Sequence, residues 1–311
     1  MKYTIAITLL LLSSILFGCK QDKVYPIYST EYVIVVVIDG PRYTETWGEP
    51  SHTFIPNQSL LSHEGVTFSN FSNDGVTRTI AGHTAITTGN YQNIDNSGYE
   101  FPDKPSIFQG LREAHGTPMN KTWIIASKDK LEVLANTSNT FWKDEYMPST
   151  DCGISGNGSG KRHDTITLKR CFEIFNEHHP KLTLINFREP DHSGHEFNWS
   201  KYLLGIINTD LYVQQIWNYI QNDPVYKDKT TLFVTNDHGR HSDGVSIGYP
   251  GHGDKCEGCK KISLLVLGPN LPKDSVVSTH YNQTDLASTI AELLHFNLSK
   301  GDGKRISELL K

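Results

Sequence analysis

The feature that most constrains the fold is an unbroken apolar run at residues 32–38, Tyr-Val-Ile-Val-Val-Val-Ile, which ends in Asp39 and Gly40. β-Branched residues without polar alternation are typical of a strand that is buried on both faces of a parallel sheet. In open α/β sheets, ligand-binding groups collect at the carboxyl ends of such strands. The run therefore predicts a central strand and places Asp39 where a ligand would bind.

The same pattern recurs along the rest of the chain. Other apolar runs predict strands at 66–70, 121–127, 182–187, 230–235 and 262–267. Helical patterns lie between and after them, at 106–115, 164–179, 202–221 and 284–294. This alternation predicts an α/β fold with a doubly wound, mostly parallel sheet and helices on both faces.

Length and composition favour one large domain. The chain has 311 residues, of which 37% are apolar, so we expect residues 32–311 to form a single catalytic domain. The net charge of -5 provides no basic face for nucleic acid, and the oligomeric state is left open. Two glycine-rich segments, 136–161 and 239–261, predict surface loops, and we expect the first to cover the site as a lid.

The first eighteen residues have the pattern of a signal peptide. A short basic start precedes an apolar stretch at 5–17, and Gly18 stands immediately before Cys19. We interpret 1–18 as a bacterial lipoprotein signal, Cys19 as the lipidated residue and 19–31 as a tether. The alternatives are an ordinary secretory signal or a short membrane anchor, although a spanning helix needs ~20 apolar residues. The mature protein is therefore expected outside the cytoplasm, lipid-anchored in the periplasm or on the outer surface.

The remaining cysteines are Cys152, Cys171, Cys256 and Cys259. An even number in an oxidising compartment permits two disulfides, whose pairing the sequence does not specify. The Cys-Glu-Gly-Cys segment at 256–259 also has the spacing of half a zinc site. Because no second cysteine pair or matching Cys/His set follows it, we favour a small disulfide that pins this loop.

A hydroxyl-rich segment at 75–89 follows the second predicted strand. It indicates a loop that leads into a helix, with Thr77 and Thr79 near the helix start. A helix N-terminus offers unpaired N–H groups and a positive dipole end, which suit a phosphate. Thr79 is our candidate nucleophile. The alternative is that Thr77 or Thr79 only caps the helix.

Ionisable residues cluster after several predicted strands. Besides Asp39, they are Asp-His-Ser-Gly-His at 191–195, Asp-His at 237–238 and the histidine of Gly-His-Gly at 251–253. Carboxylate and imidazole ligands suit zinc or a similar cation. Any one of these groups alone is more often a structural polar pair, but together they predict a metal centre at one edge of the sheet.

These motifs together resemble the alkaline phosphatase superfamily, in the branch of nucleotide pyrophosphatase/phosphodiesterase-like and phosphate-irrepressible alkaline phosphatase-like enzymes. The resemblance runs from Val33 to about Leu294. It implies two zinc ions, with other divalent cations as the alternative. The implied ligands of one are Asp191, His195 and His252, and those of the other are Asp39, Asp237, His238 and the nucleophile Thr79.

The resemblance also implies residues that contact the phosphoryl group. These are Asn96, with Asn93 as a rival, and the pair Lys128 and Lys130. Lys130 stands where the phosphate-irrepressible enzymes have arginine, so charge is kept while the bidentate geometry of a guanidinium is lost. The alternative is that both lysines are solvated at the end of a strand. Gly82 replaces the asparagine of the phosphodiesterase pattern.

The implied activity is metal-dependent hydrolysis of a phosphoric ester through a phosphothreonine intermediate. Two site lysines favour the dianion of a phosphomonoester, and the expected partners are a small phosphorylated substrate and, through lipid, the membrane. Phosphodiester, nucleotide pyrophosphate or phosphonate hydrolysis remains the alternative, and a non-catalytic ligand-binding lipoprotein is a further one. A sulfatase would need cysteine or serine at position 79. His241 is expected in an exposed loop, with contact to the substrate as the alternative.

Overall fold

The computed structural model of the protein describes residues 28–298 and 301–310. The signal peptide, Cys19 and most of the tether lie outside the described residues. Within the described part of the chain, no helix combines the length and apolar character required to cross a membrane.

In residues 28–298 and 301–310, nine strands form one sheet in the order β4-β3-β5-β1-β6-β7-β2-β8, with β9 also paired to β2. β7 is antiparallel to both of its neighbours, and the other pairings are parallel. The predicted doubly wound, mostly parallel sheet is confirmed. The strands are β1 (Tyr32–Asp39), β2 (Val66–Ser72), β3 (Thr122–Ala126), β4 (Ser149–Cys152), β5 (Leu182–Pro190), β6 (Thr230–Asn236), β7 (Lys261–Leu267), β8 (Ser275–Val277) and β9 (Tyr281–Asn282).

Helices cover both faces of this sheet, as the sequence predicts. They are α1 (Pro56–Ser62), α2 (Thr79–Thr88), α3 (Ile107–His115), α4 (Asp164–His178), α5 (Asp191–His195), α6 (Trp199–Asn222), α7 (Glu257–Lys260) and α8 (Gln283–Leu293). Short 3-10 helices occupy Tyr43–Glu45, Met119–Lys121, Asp129–Ala135 and Ser307–Leu309.

The central strand β1 shows why its sequence is continuously apolar. Alternate side chains of a strand point to opposite faces. Val33, Val35 and Val37 pack in the core that includes α2, α3 and α8. Ile34, Val36 and Ile38 pack in the core that includes α4 and α6. Because helices cover both faces, neither set of side chains needs to be polar.

Segment 136–161 differs from the predicted loop. Its middle forms β4, which pairs in parallel with β3 at the edge of the sheet. The sequence of β4, Ser-Thr-Asp-Cys, lacks an apolar run because only one of its four residues is fully buried. The end of the segment packs against the turn after β3, where the Gly160 N–H donates to Asp129 Oδ2 over 2.9 Å.

The cysteines also differ from expectation. Cys152, Cys171, Cys256 and Cys259 are all free thiols, so the favoured Cys256–Cys259 disulfide is not present in the structure. Instead, the Cys259 N–H donates to Cys256 Sγ over 3.3 Å at the start of α7. The sulfur of Cys256 thereby caps this short helix.

Candidate active site

The carboxyl ends of β1, β5 and β6 meet at one edge of the sheet. Asp39 is the last residue of β1, Asp191 begins α5 directly after β5, and Asp237 follows β6. Each of these residues is at most 2% exposed. Three carboxylates are therefore buried together, an arrangement that is unfavourable without neighbouring positive charge.

Asp39, Asp237 and His238 form a first cluster of candidate metal ligands. His238 Nε2 lies 3.6 Å from Asp39 Oδ1 and 3.5 Å from Asp237 Oδ2. These three atoms are buried and have no hydrogen-bond partner. A divalent cation would satisfy all three, whereas leaving them bare in a buried site is costly. The donor set therefore fits a metal ion.

The backbone orients Asp237 and His238 in this cluster. Asp237 Oδ1 accepts the N–H groups of Gly40 and His238 over 3.1 and 3.0 Å. His238 Nδ1 lies 2.9 Å from the Gly239 carbonyl, which orients the ring so that Nε2 faces the cluster. Burial and the adjacent Asp39 carboxylate raise the pKa of Asp237 well above its usual range. A cation would offset the same repulsion.

Asp191, His195 and His252 form the second cluster. The Nε2 atoms of His195 and His252 lie 3.0 Å apart, at 3.2 and 3.3 Å from Asp191 Oδ1. His252 Nδ1 lies 2.8 Å from the carbonyl of Thr77, which directs Nε2 toward Asp191. The convergence of two imidazole nitrogens on one carboxylate oxygen also fits a metal ion.

The two clusters are adjacent and differ in access. The rings of His238, from the first cluster, and His252, from the second, stack with their centroids 3.8 Å apart, so the two clusters are in direct contact. His238 is fully buried, whereas the side chain of His195 is 48% exposed. The second cluster therefore opens to solvent, on the side from which a substrate or water can approach.

Thr79 is the first residue of α2, as the loop-to-helix pattern predicts. Its side chain is almost fully buried, and its Oγ1 accepts a hydrogen bond from Lys128 Nζ over 3.1 Å. Helix α2 packs directly on the start of the β6–β7 connection. The contact is so close that a Cβ on Gly82 would lie only 2.3 Å from the Asp237 carbonyl oxygen. Glycine at this position allows Thr79 to approach the metal-ligand clusters.

Lys128 lies between the two clusters. Its Nζ is 2.8 Å from Asp39 Oδ2 and 2.7 Å from Asp191 Oδ2, and its side chain is 2% exposed. The solvated strand end considered for Lys128 is therefore wrong. Burial alone would lower the Lys128 pKa, but the carboxylates of Asp191 and Asp39 outweigh it and raise the pKa. Lys128 thus stays charged and contacts the Oδ2 atoms of Asp39 and Asp191. The Oδ1 atoms of the same two residues face the histidines.

Asn96 and Lys130 lie beside the start of α2. Asn96 Oδ1 accepts the Ile80 N–H over 3.1 Å, and Lys130 Nζ donates to the Asn96 carbonyl over 3.2 Å. The rival Asn93 is exposed. Burial, followed by the charge of Lys128, lowers the pKa of Lys130 to about 8. The structure thus brings Asn96 and Lys130 next to the nucleophile candidate, and their contact with substrate stays a prediction.

Arg240 is a site residue that the sequence reasoning missed. It is fully buried, and its guanidinium contacts the Asp191 carboxylate and the carbonyls of Tyr249 and Pro250. Burial would raise the Asp191 pKa, but Lys128, the histidines of its cluster and Arg240 lower it well below its usual range. Arg240 therefore ties the β6–β7 connection to Asp191. Its position directly after Asp-His-Gly at 237–239 was the available signal.

His83 has a supporting position rather than that of a ligand. Its Nδ1 lies 2.8 Å from the Thr79 carbonyl, and its Nε2 lies 3.3 Å from the side-chain nitrogen of Asn186. Asn186 in turn donates to Asp39 Oδ2 over 3.2 Å. Burial lowers the pKa of His83 to about 3, so the ring is neutral. His83 thus links the first turn of α2 to the first cluster.

Comparisons with known proteins identify the family to which the chain belongs. A family model described as type I phosphodiesterase/nucleotide pyrophosphatase matches residues 33–242, which is more than half of the chain. The fold and this match define a metal-dependent phosphoric ester hydrolase of the alkaline phosphatase superfamily, as predicted. Within that superfamily, the chain belongs to the type I phosphodiesterase/nucleotide pyrophosphatase family. A search of curated proteins found no match.

Several solved structures share the fold. The lipoteichoic acid synthase LtaP from Listeria monocytogenes is 13% identical, with a TM-score of 0.67 over 90% of this chain and 76% of that chain. Murine ectonucleotide pyrophosphatase/phosphodiesterase 5 is 16% identical, with a TM-score of 0.67 over 90% of this chain and 100% of that chain. A phosphonate monoester hydrolase from Silicibacter pomeroyi is 12% identical, with a TM-score of 0.66 over 90% and 76%. At these identities the similarity establishes the fold alone.

Proposed function

We propose that the protein is a two-zinc phosphomonoesterase in which Thr79 is the nucleophile. The observation that carries this proposal is the position of Lys128, whose Nζ lies 3.1 Å from Thr79 Oγ1 between two clusters of metal ligands. Lys130 brings a second cation close to the same point. Two lysines beside the nucleophile favour a phosphoryl group that carries two negative charges, as a monoester does.

The ligand sets support zinc as the cation. Asp39, Asp237 and His238 would hold one ion beside Thr79. Asp191, His195 and His252 would hold the other. Mixed imidazole and carboxylate ligands are those of zinc in many hydrolases. When bound, two such ions supply Lewis-acid stabilisation of the negative charge on the attacking and leaving oxygens.

The chain's own residues orient the reaction. The Thr79 hydroxyl loses its proton to solvent, Oγ1 bonds to phosphorus while the bond to the ester oxygen breaks, and the leaving oxygen takes a proton from water. Water then cleaves the phosphothreonine, which releases inorganic phosphate and restores the hydroxyl. Lys128 donates a hydrogen bond to Thr79 Oγ1, which favours the deprotonated form of this hydroxyl. Asn96 binds the Ile80 N–H and so holds the first turn of α2 in place.

A second candidate function is hydrolysis of a phosphodiester or nucleotide pyrophosphate. The family description supports it, and an inactive threonine-to-alanine variant of the murine relative has been solved in complex with AMP. A phosphonate monoester is a further candidate because a phosphonate monoester hydrolase shares the fold. The substrates of these candidate functions are phosphate esters or a phosphonate ester. We therefore propose a small substrate that carries a phosphoryl or phosphonyl group.

Steady-state hydrolysis of p-nitrophenyl phosphate and of bis-p-nitrophenyl phosphate by the full-length protein with zinc would decide between the phosphomonoesterase and the phosphodiesterase. We expect a higher kcat/KM for the monoester. A preference for the diester would reject the monoesterase and favour the phosphodiesterase. The absence of Thr79-dependent hydrolysis of either ester would favour a non-catalytic ligand-binding protein.

Substitution of Lys128 by methionine is expected to reduce kcat/KM for the monoester by ~10- to 100-fold, and for the diester by less. The variant removes one positive charge that would face the transferring group, and a monoester carries one more negative charge than a diester. The measurement is the ratio of kcat/KM values for the two esters. Lys169→Met, at an exposed lysine on α4, is the matched control. Equal reductions of kcat/KM for both esters would show that Lys128 does not distinguish the phosphoryl groups by their charge.

The dependence of kcat/KM on pH should show the ionisation of Lys130. Its pKa in the folded protein is about 8, so it loses its positive charge as pH rises through this value. We therefore expect kcat/KM for the monoester to fall above about pH 8, because this parameter follows ionisations of the free enzyme. In Lys130→Arg the cation persists at higher pH, so the fall should move upward. An unchanged profile would assign the ionisation to another group.

We also propose that the protein is a lipoprotein outside the cytoplasm. The basic start, the apolar stretch and Gly18-Cys19 support this localisation. Incorporation of labelled palmitate into the full-length protein, but not into Cys19→Ser, is the expected result. Equal labelling of the two proteins would overturn the assignment of Cys19.

A further inference from the structure

A third group of metal-binding side chains lies outside the two clusters described above. His241, Asp254, Cys256 and Cys259 each offer one ligand atom, and these atoms all lie within 4.8 Å of one another. All four residues belong to the connection between β6 and β7. The sequence reasoning placed His241 in an exposed loop, but its side chain is only 7% exposed.

The local contacts orient these side chains toward each other. His241 Nε2 lies 3.0 Å from Asp254 Oδ2, while Asp254 Oδ1 accepts the Cys256 N–H over 2.9 Å. The Cys259 N–H points at Cys256 Sγ over 3.3 Å, which sets both cysteines at the start of α7. Cys259 is fully buried. The Cys-x-x-Cys spacing at the start of a short helix is that of zinc-binding turns.

The chemical types of the four ligand atoms indicate which metal ion this site prefers. Two thiolates, one imidazole and one carboxylate make four ligands, the number that zinc prefers in closed, tetrahedral structural sites. Soft thiolate ligands favour zinc over magnesium, calcium or manganese. The two catalytic clusters contain no sulfur ligand, so this site differs from them in chemistry as well as in position.

We propose that His241, Asp254, Cys256 and Cys259 bind a structural zinc ion in addition to the catalytic metals. Binding would convert both thiols to thiolates, with their protons released to solvent. The missing second half of the zinc pattern is thus supplied by His241 and Asp254, which precede Cys256 in the chain. A disulfide between the two cysteines is the competing state, and it would exclude this ion.

The ion would also position a catalytic ligand, a consequence that rests on the proposed function. His252 lies between His241 and Asp254 in the chain. The His241 backbone N–H donates a hydrogen bond to the Gly251 carbonyl over 2.9 Å. The Thr77 hydroxyl donates a hydrogen bond to the Asp254 carbonyl over 2.6 Å. The Thr77 carbonyl contacts His252 Nδ1. Zinc would therefore fix the segment on both sides of His252.

Cobalt substitution of the full-length protein tests the site directly. Cobalt(II) bound to thiolate shows a sulfur-to-metal charge-transfer band in the near ultraviolet, whereas a site with only nitrogen and oxygen ligands does not. We expect this band in the reduced wild-type protein and its loss in Cys256→Ser/Cys259→Ser. The matched control is Cys152→Ala/Cys171→Ala, which removes the other two described free cysteines and should keep the band. Metal analysis should show one zinc fewer in the serine variant only.

Asp254→Asn provides a second variant because Asp254 is about half exposed and its loss should not prevent folding. It keeps both thiols, so we expect the band to persist but to require ~10- to 100-fold more cobalt. The absence of a band in reduced wild-type protein, or a band that survives loss of both Cys256 and Cys259, would overturn the proposal. A wild-type titration that finds these two thiols oxidised and metal-free would also overturn it.

The readouts separate this proposal from the catalytic one. If the ion positions His252, Asp254→Asn should raise the zinc concentration needed for half-maximal hydrolysis of p-nitrophenyl phosphate while kcat at saturating zinc changes little. An unchanged zinc requirement would reject the positioning of His252 and leave the cobalt band to decide the site itself. Loss of hydrolysis in the wild type with the band intact would instead reject the proposed function alone.

Discussion

Thr79→Ala is expected to lower kcat/KM for phosphoric esters by at least ~10³-fold, while bound metal and melting temperature stay near those of the wild type. The variant removes the hydroxyl that attacks phosphorus. Alanine is well tolerated in the first turn of a helix, so α2 should still begin at this residue. Lys128 loses one acceptor but keeps its contacts with Asp39 and Asp191, which preserves the charge balance of the site.

Steady-state kinetics, metal analysis and thermal unfolding would check this result. Thr84→Val is the matched control, because Thr84 lies on the same helix and its buried Oγ1 has no hydrogen-bond partner. This variant should keep wild-type turnover. Thr79→Ser should recover part of the activity since it restores a hydroxyl. Turnover in Thr79→Ala within tenfold of the wild type would remove Thr79 from the role of nucleophile.

Asp237→Asn is expected to lose one catalytic metal ion and to reduce kcat/KM by roughly 10³-fold. Asparagine still accepts the Gly40 and His238 N–H groups at Oδ1, so the backbone of the site is retained. At Oδ2, however, it presents an NH₂ group, which cannot bind a cation. The buried Oδ2 of Asp237 has no hydrogen-bond partner, as expected of an atom that would coordinate a cation.

Metal analysis after dialysis, together with kinetics, would check this prediction. Asp210→Asn is the matched control, because Asp210 is equally buried but accepts the N–H groups of Asn57 and Gln58 at the start of α1. It should lower the melting temperature without loss of metal. If Asp237→Asn keeps its full metal content and activity, the first cluster is not a metal site.

Six strands could be predicted because each contains a short apolar run, namely β1, β2, β3, β5, β6 and β7. β8 and β9 have only three and two residues and were missed. β1, β5 and β6 are buried on both faces, so their sequences carry no competing polar pattern. Since parallel strands share a carboxyl edge, Asp39, Asp191 and Asp237 could be expected to meet. The superfamily resemblance then distributed these residues between two ions. In the structure His238 lies within reach of Asp39 and Asp237 and also of Asp191 and His252, so this distribution stays a prediction.

The features that were missed depend on contacts between distant parts of the chain. β4 is polar because it lies at the sheet edge, and no local pattern reveals its pairing with β3. The burial of Arg240 depends on the path of the chain at 249–250, which no periodicity encodes. The position of His241 beside Cys256 and Cys259 arises in the same way. Sequence spacing suggested only half of that site because its other half lies upstream.

The inverted direction of β7 has a consequence for how this enzyme can change. Because β6 and β7 are antiparallel, the connection between them leaves and re-enters the sheet at the same edge, where the candidate metal ligands lie. Residues inserted there would alter what reaches Thr79 without shifting the register of Thr235 with Leu264. The β6–β7 connection is therefore a part of the chain in which insertions can change the range of substrates while the sheet and the position of Thr79 are retained.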